Sequence, residues 1–191
     1  MAKLLENLHL ALVTGLILAL VLLFATHPNP AEIQPQAIFR WLHVFFGITW
    51  IGLLYYFNFV QIPTMPAIPA ELKPGVSKYI APKALFFFRW GAVATVVTGL
   101  ILAWLLGYIV EALTLQAGFR LIGIGMWLAL IMATNVWVII WPNQQRALGL
   151  VPADDASKAK SARMAMLASR TNTILSIPML LAMATYQSIG G

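Results

Sequence analysis

The chain of 191 residues is 61% hydrophobic and only 9% charged, with a mean hydropathy of +0.84. A soluble domain usually contains about 25% charged residues, so this composition excludes an ordinary soluble protein and indicates a membrane protein. The net charge is +6 and there is no cysteine, which excludes disulfides, thiolate metal sites and haem attached through a C-x-x-C-H motif.

Five apolar stretches are long enough to cross a hydrocarbon core of about 30 Å as helices. They predict an all-α integral membrane protein, a bundle of five transmembrane helices that forms a single transmembrane domain over residues 1–191. The predicted helices run over residues 6–26, 39–61, 85–110, 120–141 and 165–187. The first stretch is longer than the core of a signal peptide and lacks a small-residue cleavage site, so it is predicted to be retained.

Lysine and arginine residues concentrate on one side of these helices. That side carries Lys3, Lys73, Lys78, Lys83, Arg146, Lys158, Lys160 and Arg163. The loops of the other side have only Arg40 and Arg120. Basic loops stay in the cytoplasm, so the N-terminus is predicted to be cytoplasmic and the C-terminus periplasmic, in a bacterial inner membrane. The basic charge then indicates topology and contact with anionic membrane lipids, and no nucleic-acid partner is expected.

The second predicted helix carries its polar residues on one stripe. At 100° per residue, Asn58 and Gln61 lie within roughly 60° of His43 around the helix. The stripe is expected to face other helices or a cavity, because lipid offers these groups no hydrogen bonds. His43 lies about one turn inside the outer boundary, which makes it the candidate axial ligand of a haem iron or the hydrogen-bonding partner of a quinone.

A haem with two axial ligands needs both at a similar depth. On depth, the second ligand is Met126 of the fourth helix, Met183 of the fifth helix or His27 in the loop after the first helix, and His/Met is a known haem pair. His9 is excluded as the partner of His43, because much of the bilayer separates them. The predicted cofactor residues are therefore His43, Met126 and Met183, for a b-type haem or a quinone.

The cytoplasmic half of the bundle collects further polar side chains. The predicted polar cluster consists of Asn58, Arg89, Asn135, Arg170, Asn172 and Ser176. Such a cluster is expected to bind an anionic group, such as a haem propionate, a lipid head group or a small acid. The alternative is that these residues only hold the helices together, as polar residues in membranes often do.

The sequence contains no catalytic signature, so whether the chain is an enzyme stays open. H-E-x-x-H, G-x-S-x-G and phosphate-binding glycine loops are all missing. Every acidic residue lies at a helix end or in a loop, whereas proton pumps usually place a carboxylate inside the membrane.

Three motifs together are unusual: "WLHVFFGITWIGLLYYFNFVQIP", "NVWVIIWPNQQRALG" and "ASRTNTILSIPMLLAMA". They resemble the urate oxidase N-terminal domain family, the membrane part of bacterial urate hydroxylases fused to cytochrome c. The motif positions are His43, Trp50, Asn58, Asn135, Trp137, Trp141, Pro142, Asn143, Gln144, Ser169, Arg170, Asn172, Ser176 and Pro178. In the fused enzymes, the resemblance implies urate oxidation with electrons leaving through the cytochrome. This sequence has no cytochrome motif, so a separate partner would take the electrons.

Two functions follow as alternatives. The first is an inner-membrane subunit in a redox setting, which holds a b-type haem or contacts a quinone and passes electrons to a partner such as a cytochrome c. The second is a non-catalytic accessory or scaffold subunit of a larger membrane protein complex, in which the polar residues pack helices. A small anion transporter that uses Arg89 and Arg170 is a third.

Overall fold

The computed structural model describes residues 2–189, and within them the chain is 85% helical and contains no strand. This confirms the all-α prediction. Five long helices follow one another: α1 (Leu8–Thr26), α2 (Pro35–Ala67), α3 (Lys73–Leu105), α4 (Arg120–Ala147) and α5 (Asp155–Ile189). The chain divides into two compact units, one ending at Ile38 and the other beginning at Phe39.

Helix α1 belongs to the first unit and is apolar around its whole circumference. It begins after Asn7, whose side-chain oxygen accepts hydrogen bonds from the backbone N–H groups of His9 and Leu10. No residue of α1 is buried. A helix that is apolar on every side is typical of a membrane span, because lipid then replaces the protein core around it.

Helices α1 to α4 are each long and apolar enough to cross a membrane. Helix α5 has 35 residues but does not reach the same hydropathy. Its polar residues include Asn172 and Ser176, both fully buried. The fifth span over 165–187, the orientation of the chain and the single-domain assignment therefore remain predictions.

Helices α2 and α3 both extend beyond their predicted ends at residues 61 and 85. The connection between them shrinks to residues 68–72, because α2 continues to Ala67 and α3 already begins at Lys73. Three π-helical segments explain this continuity: Tyr56–Gln61, Val76–Ile80 and Val136–Ile140. Each precedes a proline by two residues, and the residue just before each proline donates its N–H to the carbonyl five residues back. The wider turn makes room for the ring, which would clash in a regular α-helix.

Helix α3 ends five residues before the predicted boundary. Gly107 has φ = +77°, a left-handed conformation that favours glycine and stops the helix. Its N–H bonds to the carbonyl of Trp104, and the N–H of Tyr108 bonds to that of Ala103. A separate short helix, Ile109–Leu113, then leads to α4.

Helix α5 begins at Asp155, next to a side chain that caps it. The Asp154 carboxylate accepts hydrogen bonds from the backbone N–H of Ser157 at 2.8 Å and from its hydroxyl at 2.9 Å. These bonds stabilise the ionised form, so they lower the pKa of Asp154. The start of this helix thus lies in the loop that was predicted to be cytoplasmic.

The core of the second unit lies where α2, α3, α4 and α5 meet. Trp50 and Leu54 of α2, Phe88 of α3 and Met132 of α4 are all but fully buried there. Gly91 brings α3 against α2, since a Cβ at this position would lie 3.4 Å from the backbone nitrogen of Trp50. Burying side chains of this size contributes about 1.5–3 kcal/mol each in water, and in lipid the gain comes from packing.

Candidate functional site

A cavity of about 600 Å³ lies between α2, α3, α4 and α5 of the second unit. Its wall is mostly apolar. This size is within the roughly 300–1,000 Å³ of cofactor and small-molecule sites. The three residues predicted to bind a cofactor, His43, Met126 and Met183, all line it.

His43 reaches the cavity from α2 and is held by α3. Its Nδ1 lies 2.8 Å from the backbone carbonyl oxygen of Thr95, so Nδ1 carries the proton and donates it. The other ring nitrogen, Nε2, then keeps its lone pair in the neutral imidazole. A histidine that binds a metal is commonly oriented in this way, with one nitrogen bonded to a carbonyl and the other free to ligate.

Gly99 provides the space for the imidazole ring. A Cβ added at this position would lie 2.7 Å from Cε1 and 2.8 Å from Nδ1 of His43. Both distances are shorter than van der Waals contact, so only glycine lets the ring lie against α3 in this orientation. Gly99 and Thr95 are one helical turn apart, and together they fix the position of His43.

The two methionines approach the same cavity from the opposite helices. Met126 of α4 is buried, and Met183 of α5 is half-buried. A Cβ added at Gly125 would lie 3.3 Å from the terminal methyl carbon of Met183. The alternative ligand His27 lies in the first unit, where its Nδ1 is 3.0 Å from the Thr26 hydroxyl.

Polar groups mark two ends of the cavity. At one end, Tyr55 shares a hydrogen bond of 3.0 Å with the hydroxyl of Ser176, whose own hydrogen goes to the carbonyl of Thr173. At the other end, Nη1 of Arg40 donates to Oε1 of Gln187 at 3.3 Å. Arg40 is exposed, and among the described residues it is the one arginine, lysine or carboxylate that lines the cavity.

The structure divides the predicted polar cluster into three parts. The first part joins α5 to α4. The Asn135 amide donates to Oδ1 of Asn172 at 2.7 Å and to the carbonyl of Ala168 at 2.9 Å. Asn172 in turn donates to the carbonyl of Met132 at 3.0 Å. These three hydrogen bonds join the two helices, while Oδ1 of Asn135 is buried and has no donor among the described residues.

The second part joins α5 to α2. Asn58 donates to the hydroxyl of Ser169 at 2.7 Å and to the carbonyl of Leu54 in its own helix. With the Tyr55–Ser176 and Arg40–Gln187 pairs, this makes three side-chain hydrogen bonds between these helices among the described residues. Ser169 belonged to the predicted motif but was not assigned to the cluster.

The two arginines of the predicted cluster are not part of this hydrogen-bonded network. Arg170 of α5 is exposed. Arg89 of α3 packs on two tryptophans, with its Cζ 3.3 Å from the ring centre of Trp141 and 5.8 Å from that of Trp137. Arg89 is therefore a separate feature of the molecule.

The sequence did not assign Thr95, Tyr55 or Gly99 to the site. A signal was present, because Thr95 and Gly99 form a small-residue pair at i and i+4 on α3, a spacing that lets helices approach closely. The sequence did not show which helix faces this pair, since nothing near residues 95–99 indicates a contact with His43.

A comparison with protein families covers the part of the chain that includes α4. Residues 109–187 match the family described as "Urate oxidase N-terminal". The second part of this chain is similar to that family. This match confirms the resemblance that the motifs predicted.

The urate oxidase N-terminal match includes Met126, Asn135, Asn172 and Met183 and does not extend to His43. It therefore covers the α4 and α5 walls of the cavity and both members of the Asn135–Asn172 pair. No curated protein and no solved structure matches this chain.

Proposed function

We propose that the chain is an integral membrane subunit that holds a b-type haem in the His43 cavity and passes electrons to a separate partner, such as a cytochrome c. The observation that carries this proposal is the 2.8 Å bond from Nδ1 of His43 to the Thr95 carbonyl, which leaves Nε2 as a lone-pair donor at the cavity wall. The family description, which names a urate oxidase, supports a redox setting.

The residues present fit such a group. The cavity offers one imidazole with a fixed tautomer, two thioethers as the second ligand and an apolar wall, and these are the usual surroundings of a haem. Arg40 at the end of the cavity would pair with the propionates. A bound haem would supply one-electron transfer, and this chain's residues would bind it, orient it and exclude water.

A quinone is the other occupant that the same contacts support. With its proton on Nδ1, His43 accepts hydrogen bonds through Nε2 and does not donate them there. It would therefore accept the hydroxyl hydrogen of a quinol, rather than donate to the carbonyl oxygen of a quinone. The quinone form of the proposal thus predicts that the reduced molecule binds more tightly.

The proposal also includes a membrane topology of five spans, with a cytoplasmic N-terminus and a periplasmic C-terminus. Helix α5 follows α4 along its length, which supports a fifth span. Asn172 bonds to Asn135, the Cβ of Ala182 lies 3.0 Å from a Cβ built at Gly125, and Tyr186 packs on Phe119 with ring centres 6.4 Å apart. A segment that accompanies a membrane-spanning helix over this distance crosses the same depth of the bilayer.

The accessory subunit of a larger membrane complex is the second candidate. The observation in its favour is that Asn172 and Ser176 are fully buried and that protein groups accept or donate their hydrogen bonds: Asn172 bonds to α4, and Ser176 bonds to Tyr55 of α2 and to the Thr173 carbonyl of its own helix. Polar residues used in this way hold helices together and need no ligand. In this function, the cavity would be filled by lipid chains or by a partner helix.

Optical spectra of the detergent-purified protein, oxidised and then reduced with dithionite, test the haem. We expect a Soret band and, on reduction, the α band of a b-type haem. His43→Ala should abolish both bands, while His9→Ala, at an exposed histidine of α1, should leave them unchanged. Comparing Met126→Leu with Met183→Leu would identify the second ligand, because only the ligand's replacement shifts the bands.

The opposite result is equally clear. A folded preparation without pigment, from cells supplied with a haem precursor, would exclude haem. A quinone would then be sought by extracting the bound lipid from the native protein and from His43→Ala. If neither cofactor is present, the accessory function remains.

A further inference from the structure

Arg89 carries a charge within α3, a helix that is long and apolar enough to span a membrane. None of the four such helices contains an acidic residue that could balance this charge. The six acidic residues are Glu6, Glu32, Glu71, Glu111, Asp154 and Asp155. All six lie outside the four helices that are long and apolar enough to span a membrane. Within residues 2–189, the structure contains one ion pair, between Lys158 and Asp155. The charge of Arg89 is therefore not balanced by the described protein.

The guanidinium is held in one place by aromatic rings. Its Cζ lies 3.3 Å above the ring of Trp141 and 5.8 Å from Trp137, and Trp90 packs edge-on against Trp137 with ring centres 5.5 Å apart. Trp137 and Trp141 are one turn apart on α4, so both face the same point of α3. Stacking of this kind fixes the plane of the guanidinium and stabilises its charge.

Its hydrogen bonds, in contrast, are missing. Nε and Nη1 of Arg89 are buried and have no acceptor among the described residues, and the same holds for Nε1 of Trp137. Nη2 is not buried in this way, so the group is open on one side. Donors without acceptors are costly in a membrane, where water is absent, and a charged donor costs more than a neutral one.

The surroundings indicate which acceptor would fit. Arg89 lies six residues from Lys83, at the end of the bundle that also carries Lys73, Lys78 and Arg146. These lysines and arginines attract anions at the membrane surface. An arginine whose planar fork is already oriented binds phosphate oxygens through paired charge-assisted hydrogen bonds.

We propose that Arg89, held by Trp137 and Trp141, is a binding site for a phosphate oxyanion at the basic end of the bundle. The phosphate belongs to an anionic phospholipid head group or to a free phosphate ion. This site is separate from the His43 cavity, because Arg89 and the two tryptophans do not line that cavity. It is narrower than the cluster that the sequence predicted, since Arg170 is exposed, Asn135 and Asn172 bond to each other, and Asn58 bonds to Ser169.

Tryptophan fluorescence measures the site, because two of its residues are tryptophans. The full chain is placed in nanodiscs of phosphatidylcholine and compared at increasing fractions of phosphatidylglycerol. In a second series, inorganic phosphate is added to the phosphatidylcholine nanodiscs. We expect a saturable change in emission with phosphatidylglycerol if the source is a lipid, and with inorganic phosphate at constant ionic strength if the source is soluble.

Variants connect the change to Arg89. Arg89→Gln should abolish the change, and Arg89→Lys, which keeps the charge and loses the planar fork, should weaken binding about tenfold. Arg146→Gln removes one charge from the same end, where the side chain is exposed and has no stacking contact with an aromatic ring of residues 2–189, and should leave binding nearly unchanged. If Arg89→Gln does not fold, Arg89→Lys is compared with Arg146→Lys. Only Arg89→Lys should weaken phosphate binding.

Two results would overturn the proposal. One is the absence of a saturable response to either phosphate source in the native protein. The other is an equal loss of response in the Arg89 and Arg146 variants, which would show that surface charge alone attracts the anion. Neither result bears on the haem, which is measured by its own absorption.

Discussion

At the scale of single residues, the environment of His43 decides what this side chain can do. A histidine in an apolar helix often only packs, and the sequence alone did not distinguish packing from ligation. The carbonyl of Thr95 fixes the proton on Nδ1, and Gly99 leaves room for the ring. With these two neighbours, His43 presents a lone pair to a cavity that two methionines also line.

Gly99→Ala tests this arrangement without removing His43 itself. The new Cβ would push the ring away and break the bond to Thr95, which should make this variant about 0.5–1.5 kcal/mol less stable than an alanine at a helical glycine whose Cβ meets nothing. It should also change the ¹⁵N chemical shifts of the imidazole, because the tautomer is no longer fixed. Thermal unfolding in detergent and NMR of ¹⁵N-histidine-labelled protein measure the two effects.

Gly52→Ala is the matched control for Gly99→Ala. Gly52 lines the same cavity, but a Cβ there meets nothing within 4 Å. Its replacement should leave the His43 signals in place and should not reduce stability, because alanine favours helix over glycine. Identical His43 spectra in both variants would contradict the role of Gly99.

At the scale of elements, amide side chains join α4 to α5. Asn135 and Asn172 bond to each other at 2.7 Å, and each also bonds to a carbonyl of the facing helix. The π-helical segment Val136–Ile140 begins directly after Asn135. This segment carries α4 through Pro142, so the helix that presents Asn135 continues to the end of the bundle.

A double-mutant cycle measures the strength of this connection. Asn135→Ala and Asn172→Ala should each destabilise the fold, since each leaves a buried partner without its hydrogen bond. The coupling between them should be about 0.6–1.7 kcal/mol, the range found for hydrogen bonds between membrane helices. Reversible unfolding in mixed micelles of the four proteins gives this value.

Asn143→Ala serves as the control for the cycle, because the Asn143 amide bonds only to the Ile139 carbonyl of its own helix. Its coupling to Asn172→Ala should be close to zero. A coupling near zero for Asn135 and Asn172 as well would mean that the bond between them does not hold α4 to α5.

At the scale of the whole molecule, the open question is whether α5 crosses the membrane. Its hydropathy is below that of the other long helices. Its buried residues include Asn172 and Ser176, which face the protein and lower the average, while Ile174, Ile177 and Leu181 on its surface are exposed and apolar. A helix whose polar residues face inward and whose apolar residues face outward fits a lipid environment.

Single cysteines test this topology, and the chain has no native cysteine to interfere. Ala159→Cys lies before the proposed span and Ser188→Cys lies after it, both at exposed positions. With a membrane-impermeant maleimide, spheroplasts should label Ser188→Cys at once and Ala159→Cys only after permeabilisation. Equal labelling of both would place them on one side and exclude the fifth span.

The sequence by itself determined the helical class and its apolar spans, because hydropathy and helix length depend only on nearby residues. It also selected His43, Met126 and Met183 through their depth along separate helices, which rise by a constant 1.5 Å per residue. The course of the chain through Pro63, Pro82 and Pro142 was not predicted. A proline considered by itself favours a helix end. In the structure, the helix continues through each of these prolines, because a wider turn makes room for the ring.

Only the tertiary structure decided which residues act together. The Thr95 carbonyl lies 52 positions from His43, and no local pattern relates the two. The predicted polar cluster is divided for the same reason: depth places Arg89, Arg170 and Asn172 together, yet Asn172 bonds to Asn135, Arg89 stacks on tryptophans and Arg170 is exposed. Depth follows from counting residues along one helix, whereas rotation is set by how the helices pack against each other.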